Sequence, residues 1–170
     1  IKPDVEETRI ESESAYDTAD RLSEEKAKKV SSQFKEAIVI GCDQTAEYNN
    51  IQIQKPLDYK KALSQLKKLS GKRVNFHSAI SMHCNKKNIF QKKVISFDVK
   101  YKNLTSSEIE CYLKKEKPFN CLGSIKSEGL GITLLDEINS SDPTAVIGLP
   151  LITLVDMLKN VGININDKQV

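Results

Sequence analysis

The octet Ala37-Ile38-Val39-Ile40-Gly41-Cys42-Asp43-Gln44 constrains the fold more than any other stretch of this chain. Four apolar residues in a row, two of them Ile and one Val, are too few for a membrane span and suit a buried strand. A glycine follows, and then a carboxylate where the strand should surface. In open α/β sheets, sites form beyond the strand ends, which makes Asp43 a candidate for chemistry. Asp is also a common turn residue, and the octet alone leaves both roles open.

Helical and extended patterns alternate around that strand. Tyr16 to Phe34 reads as a helix, with Leu22, Val30 and Phe34 inward and a polar face of Glu24, Glu25, Lys28 and Lys29. Lys26 and Lys29 are at this level no more than solvated charges. Thr45 to Tyr48, Asn49-Asn50 and Ile51 to Ile53 read as a hairpin, because Asn tolerates positive φ. Asp58 can cap a helix over Tyr59 to Leu69, and Gly71 follows its end. Val74 to Cys84 and Ile89 to Tyr101 read as strands joined by a turn at Asn85 to Asn88. Thr105 to Glu108 is a capping box that opens a helix with Ile109, Tyr112 and Leu113 inward. A loop of glycine and small polar residues, Gly123 to Gly131, leads to a short strand over Ile132 to Leu135. Pro150 suits the first turn of a last helix with Leu151, Leu154, Val155 and Leu158 inward. Ile1 to Ser14, with Asp4, Glu6, Glu7, Glu11 and Glu13, reads as an exposed acidic loop. The alternation predicts one α/β domain over residues 1–170, a central mixed twisted sheet flanked by helices.

Composition narrows the functions open to such a chain. With 170 residues, 39% hydrophobic and 29% charged, it can build one real core. Its formal charge is +3, and Arg9, Arg21 and Arg73 are its arginines. The basic residues are mixed among acids and form no stripe, which argues against a nucleic-acid polymer as partner. No run approaches the roughly 20 apolar residues of a membrane helix, and none of these residues reads as a secretory signal. Cys42, Cys84, Cys111 and Cys121 contain no C-x-x-C pair, and His77 and His83 are the histidines, a poor set for zinc. Free thiols in a reducing cytoplasm are the expectation. His77, inside a strand, reads as structural. Cys42 would face the opposite side of its strand from Asp43, as a small core residue.

Three features share one chemical theme. They are Asp43 at a strand end, Lys55 just after the hairpin, and the glycine-rich loop carrying Lys126 and Glu128. Carboxylates hold divalent ions, lysines neutralise phosphate and exposed loop amides bind anions. The loop is neither a P-loop nor a dinucleotide fingerprint.

The order of motifs resembles the Maf family of nucleoside triphosphate pyrophosphatases. Val5-Glu6-Glu7-Thr8 looks like its V-D-E-T segment, and Arg21-Leu22 with Glu25-Lys26-Ala27 looks like its R-L-A-x-E-K-A helix. Val39 to Gln44 resembles the strand ending in G-x-D, and Lys55-Pro56 resembles the G-K-P turn. Leu69-Ser70-Gly71, Gly129-Leu130-Gly131 and Val146 to Leu151 complete a series that runs from Val5 to Gly162. Gln44 and the loop Gly123 to Gly131, with Glu128, look like the branch acting on 7-methyl-GTP.

The resemblance implies an inosine-triphosphate-pyrophosphatase-like fold and hydrolysis between the α- and β-phosphates, with a divalent cation, Mg or Mn. Asp43 would accept the proton or hold the metal, and Glu7 would support the metal. Lys26 and Lys55 would neutralise the triphosphate, while Gln44 and Glu128 would read the base. Methylation at N7 makes guanine cationic, so a carboxylate at its edge favours it by charge. The expected partner is a modified nucleoside triphosphate in the cytoplasm, with a homodimer left open. The chain departs from the family in starting without the first strand and its S-x-S-P-x-R-R loop, as an N-terminally truncated domain would. Gln54 stands before Lys55 where glycine is usual, and Leu122 replaces a small residue. These departures raise the alternative of a catalytically impaired nucleotide-binding relative with a regulatory role in cell division arrest.

Overall fold

The computed structural model describes residues 1–167, so the domain drawn to residue 170 ends outside the described residues. The elements run α1 (Ala15–Ser31), β1 (Val39–Tyr48), β2 (Ile51–Gln52), α2 (Tyr59–Leu69), β3 (Arg73–Cys84), β4 (Ile89–Tyr101), α3 (Ser106–Glu116), β5 (Leu135–Asn139) and α4 (Leu151–Asn160). One five-stranded sheet has the order β2-β1-β3-β4-β5.

The architecture is α/β as expected, but the sheet is antiparallel and not mixed. β2 returns along β1, and β5 returns along β4. β3 and β4 are joined by four residues, too few for a parallel crossover. Between β1 and β3, the Lys86 N–H donates to the Lys35 carbonyl at one end, while Gln44 meets Ser78 further along. Rising numbers in one strand therefore match falling numbers in the other. The chain turns back through β2 before entering α2, so β1, α2 and β3 do not form a simple crossover unit.

Local chemistry accounts for most element ends. Asn49 and Asn50 have φ of 53° and 60°, the left-handed pair that a two-residue hairpin requires. Asp58 accepts from Lys61 N–H at the head of α2. Both halves of the Thr105–Glu108 capping box are present at α3. β1 runs on to Tyr48, so Asp43 lies in mid-strand and neither caps a turn nor sits beyond a strand end. The strand-end rule belongs to parallel α/β sheets, and this sheet is not one.

Four other readings are corrected. α1 ends at Ser31, and Phe34 lies beyond it, 46% exposed. Ile132 belongs to a 3-10 turn, Leu130–Leu134, and the strand starts only at Leu135. Pro150 stands at the cap position of α4, just before its first residue. The inner face of α4 is Thr153, Leu154, Met157 and Leu158, whereas Leu151 and Val155 point outward.

Two compact units divide the chain. The first comprises Ile1–Gln44, Ser78–Ile95 and the stretch from Asp142 onward; the second comprises Thr45–His77 and Ser96–Ser141. In the first, Ile38, just before β1, and Ile40 and Cys42 of β1 pack with Ile80 and Met82 of β3 and with Met157 of α4. The opposite face of β1 meets α1 at Gly41. In the second, Val74, Phe76, Phe97, Val99 and Tyr101 are buried with Leu66, Leu69, Ile109 and Leu113 of α2 and α3. Phe76 and Phe97 stack at 5.3 Å.

Candidate active site

The first unit brings Glu7, Lys26 and Asp43 together. A Cβ on Gly41 would lie 2.3 Å from the Ser23 carbonyl and 2.6 Å from Ala27 N, so only glycine lets α1 approach β1 this closely. Asp43, two residues on, shares that face of the strand. Lys26, one residue before Ala27, reaches it. Its Nζ stands 2.6 Å from Asp43 Oδ1 and 2.7 Å from Glu7 Oε1. The Lys26 and Asp43 side chains are 15% and 10% exposed, and Glu7 is 55% exposed. Burial alone would depress the Lys26 ammonium, but the Asp43 and Glu7 carboxylates outweigh it and the net shift is upward. Lys26 is thus a paired and largely buried cation, while Lys29 is exposed.

The neighbours of Asp43 face the other way. Cys42 belongs to the apolar cluster, and burial, with the Asp43 charge next, pushes its thiol up to about 11. That is the chemistry of a core residue and not of a nucleophile. Gln44 donates through Nε2 to Ser78 Oγ at 2.8 Å and to the Ala145 carbonyl at 2.9 Å. The turn carrying Ala145 is organised by buried Asp142, whose carboxylate accepts from Thr144 and Thr153 N–H. Sequence reading passed over Asp142.

Lys55 and Glu128 lie in the second unit. Lys55 is exposed between Gln54 and buried Pro56. Gln65 of α2, unmarked in the sequence, donates to the Gln54 carbonyl at 2.9 Å and accepts from Ser124 Oγ at 2.6 Å. One side chain therefore holds both the Lys55 segment and the glycine-rich loop. Burial, with the Glu128 charge next, pushes the Cys121 thiol up, and the charges of Lys126 and Lys55 oppose this. The same thiol thus feels Lys55, Lys126 and Glu128. His77 behaves as a structural strand residue, its Nδ1 2.8 Å from Ser96 Oγ and its Nε2 3.4 Å from Glu47.

Among the described residues no cluster of three His, Cys, Asp or Glu could hold a metal by itself. Asp43 and Glu7 offer a partial set. Both carboxylate oxygens touch one Nζ, so they are at most 5.3 Å apart (2.6 + 2.7). Magnesium is commonly held by one or two carboxylates with substrate phosphates completing the shell, and the pair fits that pattern. No helix among the described residues is long and apolar enough to cross a membrane.

Fold and site define an α/β protein whose charged centre, two carboxylates around one ammonium, rests on an antiparallel sheet. The Maf-like protein family matches residues 1–161, and the chain belongs to that family. It is 42% identical to the 7-methyl-GTP pyrophosphatase of Methylobacillus flagellatus, over 96% of this chain and 85% of that protein. The proteins of the same name from a Polaromonas species and from Burkholderia pseudomallei are 42% and 41% identical, over 95% of this chain and 74% and 77% of their own lengths.

Proposed function

We propose that this protein is a nucleoside triphosphate pyrophosphatase that hydrolyses 7-methyl-GTP to 7-methyl-GMP and pyrophosphate, removing a modified nucleotide before it can be incorporated. The observation that carries the reading is the buried Lys26 ammonium shared by Asp43 and Glu7. In the reaction a water oxygen bonds to the α-phosphorus, the bond to the bridging oxygen breaks, and the electron pair leaves with pyrophosphate. Asp43 takes the proton from that water. Lys26 turns from the carboxylates to the triphosphate and, with Lys55, meets the charge that grows on the leaving group. Asp43 and Glu7 are the residues that would hold Mg or Mn. When bound, the cation supplies charge neutralisation of the phosphates and Lewis acidity toward water. Glu128 selects the base by its negative charge, and Gln44, whose amide nitrogen is held by Ser78 and the Ala145 carbonyl, contributes to that selection by positioning the turn at Ala145. The free thiols suit a reducing cytoplasm.

Asp43→Asn keeps the size of the side chain and removes the proton acceptor. Pyrophosphate release should fall at least about 100-fold, the lower range for a lost general base, while thermal melting stays that of a folded protein. Undiminished turnover in this variant would overturn the reading. Parent protein that binds 7-methyl-GTP by calorimetry yet releases no pyrophosphate with Mg or Mn would instead establish the impaired, regulatory relative.

A further inference from the structure

The loop that carries Glu128 holds charges of opposite sign two residues apart. A lysine free to fold onto Glu128 would cancel the carboxylate that is to meet a cationic base. In the structure Lys126 makes its ion pair with another carboxylate, although the Glu128 charge still acts on it. Lys126 Nζ lies 3.1 Å from Glu116 Oε1, in the last turn of α3. The other oxygen, Glu116 Oε2, accepts from Leu130 N–H at 2.8 Å, and Lys126 N–H donates to Tyr112 Oη at 3.0 Å. A Cβ on Gly129 would lie 2.7 Å from both Glu116 oxygens, so glycine at 129 is what admits the carboxylate. An acid in the last turn of a helix opposes the helix dipole, and these loop contacts offset that cost. The Leu130 N–H, with Lys126 next, holds the Glu116 carboxyl below its ordinary range. Glu128 is exposed and forms no salt bridge among the described residues.

We infer that Glu116 is a positioning residue for base selection: it captures Lys126 and pins the Gly129–Gly131 turn, leaving Glu128 as the net negative charge offered to the base. The inference rests on the reading that Glu128 recognises 7-methylguanine. It goes beyond that reading by assigning the selectivity to a pair of carboxylates with separate tasks.

Pyrophosphate release from 7-methyl-GTP and from GTP, measured on the full chain, gives the ratio of the two kcat/KM values. Glu116→Gln keeps an acceptor for Leu130 N–H and loses the charge that holds Lys126. The preference for 7-methyl-GTP should fall about two- to fivefold, the range for an exposed charge pair. Adding Lys126→Gln to Glu116→Gln should restore it, since the competing cation is gone; a purely structural role for Glu116 would not produce that rescue. An unchanged ratio in Glu116→Gln, or no rescue in the double variant, overturns the inference. Should Glu116→Gln not fold, Lys126→Gln alone decides: the preference should hold or rise, and a fall overturns the proposal. Glu128→Gln separates the two layers. If it erodes the preference while Glu116→Gln does not, only this inference fails; if it leaves the preference intact, the reading of Glu128 fails and takes the inference with it.

Discussion

Replacing Gly41 with alanine adds one methyl group between β1 and α1, and the geometry says how much must move. The new Cβ would stand 2.3 Å from the Ser23 carbonyl oxygen, 2.6 Å from Ala27 N and 2.9 Å from Ala27 Cβ. Ordinary contact begins at 3.4 Å, so the worst clash needs 1.1 Å of relief (3.4 − 2.3). Two of the three atoms are backbone, so no side-chain rotation helps and the helix itself must shift. Added to the 2.6 Å between Lys26 Nζ and Asp43 Oδ1, that shift gives 3.7 Å, outside hydrogen-bond range. The flexible Lys26 stem recovers part of the distance, though not the burial. Overpacking of this kind costs about 1–3 kcal/mol. In a chain of this size that lowers Tm by roughly 2–12 °C. Misplacement by about 1 Å near the chemistry reduces turnover by up to roughly 100-fold. Differential scanning calorimetry and pyrophosphate release at saturating 7-methyl-GTP read both effects. A Gly41→Ala protein that melts within a degree of the parent and turns over normally would falsify the account of how α1 is seated.

Two pH-dependent predictions follow from charges around α1. Glu13 is held by Arg21, whose Nε donates at 2.5 Å, and this bond first of all lowers the Glu13 carboxyl to about 2. A depressed carboxyl stabilises the fold fully above its ordinary value of 4.5 and loses that contribution as pH falls toward 2. Glu13→Gln should therefore cost about 1 kcal/mol in urea unfolding at pH 7, and the gap from the parent should shrink by more than half at pH 3; an equal gap at both pH values counts against the pair. His83 is 9% exposed against Phe90 of β4, with Nε2 unpaired among the described residues. Burial, helped by Lys28 and opposed by Glu24, both on α1, lowers its pKa, so the folded state resists its protonation. Stability should decline as pH drops below about 6.5, and His83→Phe should flatten that decline between pH 7.5 and 5.5. An unchanged slope would remove His83 from the explanation.

Much of this arrangement is legible in the residues themselves. Asn49-Asn50, Asp58 and the Thr105–Glu108 box act within a few positions, so local pattern locates them. The opposite facing of Cys42 and Asp43 follows from strand alternation alone. What escaped depends on distant partners. α4 carries Leu151, Ile152, Leu154, Val155, Met157 and Leu158 around most of its circumference, so its sequence does not say which side meets Ile80 and Met82. Gln65 and Glu116 act on backbone atoms in other segments, and no periodicity marks such a residue. The direction of β3 against β1 is set by the path through β2 and α2, which hydrophobic pattern does not encode.

The alternation along β1 also limits how this segment can change over time. Asp43 and Gln44 are neighbours in the chain yet serve opposite faces of the sheet. Deleting or inserting one residue between Gly41 and Asp43 would invert every later side chain in the strand. The carboxylate would be driven among Ile80, Met82 and Met157, where an unpaired charge is heavily penalised, and Lys26 would lose its partner. Substitutions can tune either face independently, whereas a change of length destroys both at once. An insertion in this part of the chain should be tolerated best at the Asn49-Asn50 turn, where the ladder ends and extra residues would project into water.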